Sequence, residues 1–242
     1  MHLQTPIFAE ADTRRRHRPS IIHTDWLILR ELASAIECVA DVAIEPNDRV
    51  IDFGCGAQPY RALFEERGAH YEGADFDTGA QLHIRENGTI SVADDVADVV
   101  TSFQVLEHVR DLGCYLSEAG RILKPEGELI LSTHGTWLFH PHPEDHRRWT
   151  RMGLIGELEA HGWHVTYCQS LVGPLAFTTL IRLTGFCFAL RKIPFLGSIL
   201  SAPLALVMNL RAVLEDALTP RSIRDDNACV YLVRARRAKG SK

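Results

Sequence analysis

The sequence predicts an α/β domain, a doubly wound and mostly parallel sheet with helices on both faces. Three observations carry this. Short apolar runs of strand length alternate with helical patterns, as crossover units require. The first run ends in a glycine turn, Phe53-Gly54-Cys55-Gly56, the form a chain takes on entering a ligand-facing helix. The length, 242 residues, suits one such domain with additions better than two.

The elements follow in order. Leu27, Leu32, Ala35, Ile36 and Val39 recur at helical spacing within 24–42, which predicts an amphipathic helix. Residues 48–53 read as a short buried strand. A helix over 59–67 stops at Gly68, and 69–75 is a second strand. Val99 and Val100 mark a third strand over 98–103. A helix over 112–123 leads into a Lys124-Pro125-Glu126-Gly127 turn and a strand over 128–133. Thr150 is a good N-cap for a helix that runs to about His161, with Gly162 as its stop. Residues 163–169 and 228–236 complete the strands. Right-handed crossovers put the loops after the strands at one edge, where ligands bind.

Charge and cysteines exclude several classes. The formal net charge of −5 provides no basic field for nucleic acid. The run Arg14-Arg15-Arg16-His17-Arg18 is a local exception and reads as a solvated arm. The six cysteines are scattered with no C-x-x-C pair, so neither a zinc site nor a disulfide framework is expected, and no metal is assigned. A reducing cytosol is the simplest compartment, and no apolar run behind a basic start suggests a signal peptide.

The glycine turn reads as a cofactor site. Gly54 and Gly56 allow a ligand close to the backbone, and the next helix offers unpaired N–H groups. Asp52 at the strand end would attract an ammonium group. Asp75, at the end of the second strand, would accept hydrogen bonds from ribose hydroxyls. An NAD fingerprint wants a third glycine where this chain has Pro59, and a phosphate-binding P-loop is absent.

Three segments together resemble class I S-adenosylmethionine (SAM) dependent methyltransferases. Ile51-Asp52-Phe53-Gly54-Cys55-Gly56 is similar to their first motif. Asp98-Val99-Val100 with Gln104-Val105-Leu106-Glu107-His108-Val109 is similar to the motif after their fourth strand. Glu118 to Gly127 is similar to their E-x-x-R-x-L-K-P-G-G turn, with Glu126 replacing a glycine. The resemblance implies a Rossmann-like, seven-stranded domain with SAM as cofactor. It implies backbone contacts from Gly54, Cys55 and Gly56 to the methionine part, Asp52 on the amino group and Asp75 on the ribose. Phe76 would flank the adenine, Asn87 or Asp94 would meet its edge, and Gln104 would lie near the methionine.

After the strand at 128–133 the chain is rich in candidate bases, from His134 to Thr150. Methyl transfer to a hydroxyl needs a proton removed, and histidine suits the task. His140 or His142 is the expected base, with Asp145 orienting it and His108 as a further candidate. Arg148 would bind an anionic group on the acceptor, and Trp137 and Trp149 would stack on a sugar or flat ring. The pattern His142-Pro143-Glu144-Asp145, Arg148-Trp149-Thr150 and Gly153-Leu154 resembles bacterial methyltransferases tied to surface polysaccharide or glycolipid assembly. A metal site and a purely structural loop are the competing readings.

An apolar stretch breaks the strand–helix rhythm. From Leu171 to Leu210 the formal charges are Arg182, Arg191 and Lys192. The expected organisation is therefore an N-terminal arm and helix (1–47), the SAM-binding domain (48–170 and 228–237), and an apolar helical insertion (171–227). The insertion reads as a substrate cover, a homo-oligomer contact or a membrane-surface dock. The expected function is methylation of a sugar, glycan or lipid-linked hydroxyl in the cytoplasm or peripherally on the inner membrane face. Alternatives are a quinone or other small-molecule methyltransferase, a scaffold without activity, and an NAD-dependent oxidoreductase.

Overall fold

The computed structural model describes residues 13–76, 79–141 and 144–238. Seven strands form one sheet: β1 (Arg49–Phe53), β2 (His70–Asp75), β3 (Leu82–His83), β4 (Ala97–Phe103), β5 (Leu123–His134), β6 (Trp163–Leu171) and β7 (Val230–Arg237). Their spatial order is β3-β2-β1-β4-β5-β7-β6. β1 pairs in parallel with both β2 and β4, while β7 runs antiparallel between β5 and β6. The strand order reverses at β1, so a crevice opens beyond Phe53, where such sheets bind ligands.

Side-chain alternation along β1 divides the core. Val50 joins the cluster under helix α1 (Trp26–Ala43), whose Leu27, Leu32, Ala35, Ile36 and Val39 are buried as their spacing requires. Ile51 and Phe53 point to the opposite face. There they meet helices α3 (Leu112–Ile122) and α4 (Arg151–Ala160) through Leu116, Ile122, Leu154 and Leu158. Thr150 caps α4 by accepting from the Gly153 N–H at 3.0 Å.

The structure departs from the sequence reading locally. Helix α2 is short (Arg61–Glu65), because the chain leaving Gly56 turns through Gln58, at φ 54, before it can wind. The Lys124 to Gly127 turn lies inside β5, as an irregularity where Ala97 pairs Leu123 and Val99 pairs Glu128. The two-residue β3 is the seventh strand of the expected sheet, which the sequence reading did not place; its pairing to β2 has little apolar pattern to announce it.

The apolar segment folds as a helical hairpin, α5 (Pro174–Leu190) and α6 (Leu196–Leu218), followed by the short α7 (Arg221–Asp226). Leu180 and Leu183 of α5 and Ala205 and Ala212 of α6 belong to the same core as α1. The helices meet closely: a Cβ on Gly197 would lie 2.2 Å from the Leu190 carbonyl oxygen.

Candidate functional site

The crevice at the carboxyl edge is a cleft of about 860 Å³. That is the size of a cofactor site. Its floor is the glycine turn. Gly54 has φ 90, and a Cβ there would lie 2.7 Å from Val105, so glycine is required for both conformation and space. The Gly54 and Cys55 N–H groups both donate to the Ala74 carbonyl, which ties the turn to β2.

Asp52 and Asp75 stand on either side of this turn. Asp52 is 2% exposed and accepts from Tyr71 Oη at 2.5 Å and Thr101 Oγ1 at 3.0 Å. Burial pushes its carboxyl up to about 6, against the lowering effect of those two hydroxyls. Both donors are neutral. A buried carboxylate with neutral donors suits an ammonium ligand. Asp75 accepts from the Gly56 N–H at 2.8 Å through one oxygen and from the Phe76 N–H at 2.7 Å through the other.

All eight expected cofactor residues line this cleft: Asp52, Gly54, Cys55, Gly56, Asp75, Phe76, Asn87 and Gln104. Phe76 is exposed, as a ring that flanks a ligand would be. Asn87 directs its side-chain oxygen to Thr89, at 3.1 Å from the N–H and 2.7 Å from the hydroxyl. Asp94, the alternative to Asn87, pairs with Arg121 at 2.6 Å and is not among the residues lining the cleft. Gln104 follows β4 at φ 58, a conformation a side chain seldom adopts, and is held by its N–H to the Ser132 carbonyl at 2.9 Å.

The histidine-rich loop after β5 straps across the turn that holds Glu107 and His108. The His146 N–H donates to the Glu107 carbonyl at 2.9 Å, and Arg147 donates to the Val109 and Arg110 carbonyls. His108 meets the Glu144 carbonyl through Nδ1. A carbonyl only accepts, so Nδ1 carries a proton, and in the neutral ring the lone pair is then on Nε2. His108 lines the cleft and stacks on His140, with ring centroids 5.0 Å apart.

Behind His108 lies a cluster of three titratable groups, of which Glu107 and His134 are buried. His140 Nε2 is 3.0 Å from His134 Nε2, and His134 Nε2 is 3.6 Å from Glu107 Oε1. Glu107 is fully buried and accepts from Thr133 Oγ1 at 2.8 Å. Burial raises the Glu107 carboxyl, lowers His140, and takes His134 down to about 3, so the imidazoles are neutral at pH 7. Glu107, His134 and His140 bring ligand atoms within 4.8 Å of one another, close enough for an ion. The His134–His140 contact already has hydrogen-bond length.

Arg148 closes the loop from inside. Its guanidinium grips both Asp145 oxygens and also donates to the carbonyls of Trp137, Leu138 and Arg147. That clasp holds the Asp145 carboxyl well below the usual carboxylate range. With its donors on protein acceptors, Arg148 is a loop clasp and has no donor left over for an acceptor's anionic group. Asp145 orients His140 through the His140 backbone N–H, at 2.9 Å. Trp137 and Trp149 pack against the two core clusters and are not among the residues lining the cleft. His142 lies outside the described residues.

Comparison with known proteins decides which family uses this architecture. A family model described as a methyltransferase domain matches residues 23–186, more than half of the chain. The chain belongs to the class I SAM-dependent methyltransferases. A ubiquinone biosynthesis O-methyltransferase of Hahella chejuensis is 31% identical over 114 residues, covering 40% of this chain and 48% of that protein. The chain thus spans about half the length of the curated relatives it matches, or less. A Haemonchus contortus phosphoethanolamine N-methyltransferase 2, solved with S-adenosylhomocysteine, shares the fold at TM-score 0.53. It is 13% identical, over 94% of this chain and 60% of that one. The SpnF [4+2]-cyclase shares it at TM-score 0.55 and 15% identity, over 86% and 82%. One fold therefore serves different reactions, and the site must decide among them.

Within this methyltransferase fold, sequence reasoning missed the supports of the site. Thr101 sits opposite Asp52 in the β1–β4 register, and Tyr71 reaches Asp52 from β2. The strand pairing was needed to see either. His134 and Glu107 stood in separate motifs, but nothing in the linear order brings residues 27 positions apart into one cluster.

Proposed function

We propose that this protein transfers a methyl group from SAM to a hydroxyl of a small molecule, with His108 as general base. The observation that carries the reading is that His108 lines the same cleft as the eight cofactor candidates. When bound, SAM supplies an electrophilic methyl on a sulfonium. Asp52 would hold its ammonium, Asp75 its ribose, and the Gly54 to Gly56 backbone, without a side chain at either glycine, would let its methionine part lie close against the turn. Phe76 and Asn87 would take the adenine, and Gln104 would lie near the methionine.

On the protein side, Glu144 fixes the His108 tautomer, so Nε2 can accept the hydroxyl proton. His140, with one ring nitrogen on His134 and its backbone on Asp145, positions His108 by stacking. The relatives named ubiquinone biosynthesis O-methyltransferases support oxygen as the acceptor atom and a phenol-type acceptor beside a glycan hydroxyl.

The test is calorimetry with SAM followed by transfer of labelled methyl to a panel of phenols and glycan-type alcohols. His108→Gln is expected to lose turnover and keep SAM affinity. Absence of SAM binding would favour a scaffold role. A wild-type rate in His108→Gln would remove the base assignment.

A further inference from the structure

We propose that the outer face of the α5–α6 hairpin docks this protein on an anionic lipid bilayer. The first observation is an inversion. A helix on a soluble domain buries its large apolar residues and exposes its polar ones. Helix α6 buries Gly197, Ser201, Ala205 and Ala212, and exposes Ile199, Leu200, Val207, Leu210, Leu214 and Leu218. These exposed residues recur at helical spacing, so they form one stripe along a helix about 35 Å long. Scattered surface leucines need no explanation, but a continuous stripe does.

The turn between the helices extends that surface. Phe195 is 96% exposed and sits at φ 62, a conformation sparsely used by aromatic residues. Phe186 and Phe188 of α5 are exposed beside it. An aromatic held outward at a turn gains nothing from water and gains burial in a lipid interface.

Charge selects the occupant. Between Val172 and Leu218 the formal charges are Arg182, Arg191, Lys192, Arg211, Glu215 and Asp216. Glu215 pairs with Arg211 at 2.7 Å and Asp216 accepts from the Gly173 N–H at 2.6 Å, which leaves Arg182, Arg191 and Lys192 as the cations of the surface. Arg182, Arg191 and Lys192 are exposed. Apolar surface with cations of one sign matches a membrane of anionic headgroups. A second copy joined through the same face would bring those cations together, while Glu215 and Asp216 of the same helix are engaged by Arg211 and Arg224 of their own chain.

The helix lies on the bilayer and does not cross it, although α6 is long and apolar enough to do so. Its inner side belongs to the core under α1. Asn209 also donates to the Ile21 and His23 carbonyls at 2.7 and 2.8 Å. The same segment reaches the cofactor turn, where Thr13 Oγ1 donates to the Ala57 carbonyl at 3.0 Å. Arg14 and Arg18 are exposed on it, and Arg16 lines the cleft. A basic segment thus links the docking face to the cleft. It follows that the methyl acceptor is itself membrane-borne; this last step rests on the methyl-transfer reading, and the docking does not.

Flotation of the full chain with vesicles tests it. The wild type is expected to float with phosphatidylglycerol-containing vesicles and to stay behind with pure phosphatidylcholine. Arg191→Glu with Lys192→Glu should lower the bound fraction at least about tenfold. Phe195→Ser with Ile199→Ser should abolish binding, while unchanged SAM affinity shows that the variant is folded. Failure of the wild type to float, or flotation of the serine variant, overturns docking. A wild-type dimer by light scattering that becomes monomeric in the serine variant, with no flotation, also overturns it and assigns the face to a second copy. Flotation without any SAM binding would keep the docking and remove the methyl-transfer reading.

Discussion

His108 stacks on His140, with 21° between the ring planes, and of the two it is His108 that lines the cleft. Of the expected base candidates that the structure describes, His140 stands one ring behind His108. Replacing His108 by Gln should lower kcat on the order of 10²-fold or more with SAM affinity unchanged. Replacing His140 by Ala should act less and shift the pH profile of kcat, since it touches the base and not the acceptor. Pre-steady-state transfer assays with calorimetry check both; equal losses would make the two rings a single structural unit.

Asp75 joins the Gly56 N–H to the place where ribose is expected. Asp75→Ala should weaken SAM binding by at least about tenfold, the worth of a charge-assisted hydrogen bond, without unfolding the chain. Calorimetry on the folded variant reads this directly, and an unaltered affinity would remove Asp75 from the site.

Gly54→Ala places a methyl 2.7 Å from Val105 in a backbone conformation that alanine avoids. A loss of about 1–3 kcal/mol of stability is expected, with SAM affinity falling alongside it. Adding Val105→Ala should recover the steric part and leave the conformational part. Thermal melts of the single and double variants separate the two.

Asp52 and His134 give opposite pH dependences. Burial raises Asp52 to about 6, so its contribution to stability is present below about pH 4 and is lost as pH rises to about 6. Burial lowers His134 to about 3, so its contribution is present above about pH 6.5 and is lost as pH falls toward 3. Each slope is about 1.4 kcal/mol per pH unit. Over pH 4–6 they oppose, and the difference curves of Asp52→Asn and His134→Asn against wild type should slope in opposite directions. Urea denaturation across that range tests the signs. Ammonium binding to Asp52 would lower its carboxyl again, so SAM binding should release protons near pH 6.

Arg148→Ala leaves Asp145 buried without its clasp. A cost of about 3 kcal/mol or more is expected. Loss of turnover should accompany it, as the strap carrying His140 loosens. A variant with normal stability would show that the loop holds without this pair.

The legible part of the protein is what its periodicity and glycine turn dictate. The α1 stripe, the β1 turn and the spacing to Asp75 are local patterns, and each cofactor candidate they named lines the cleft. For Trp137, Arg148 and Trp149, residue type alone does not tell whether a ring or guanidinium faces a ligand or its own loop. Arg148 faces carbonyls supplied by the loop's fold, and Trp149 faces a core cluster assembled from distant strands. The pairing of the two candidates His108 and His140 was hidden for the same reason. His108 meets His140 through a loop return that sequence spacing does not encode.

The position of β7 has a consequence for how the chain is made. Leu129 pairs with Ala235, and Leu171 with Val230, so the sheet has a gap between β5 and β6 until residues 230–237 emerge. The apolar hairpin is synthesised before the strand that completes its anchor. Such distant pairing slows folding and lengthens the time that Phe195 and its neighbours spend without a finished domain beneath them. Every residue lining the cleft precedes the hairpin, so the ligand-facing half of the sheet can close during synthesis while the hairpin still waits for β7.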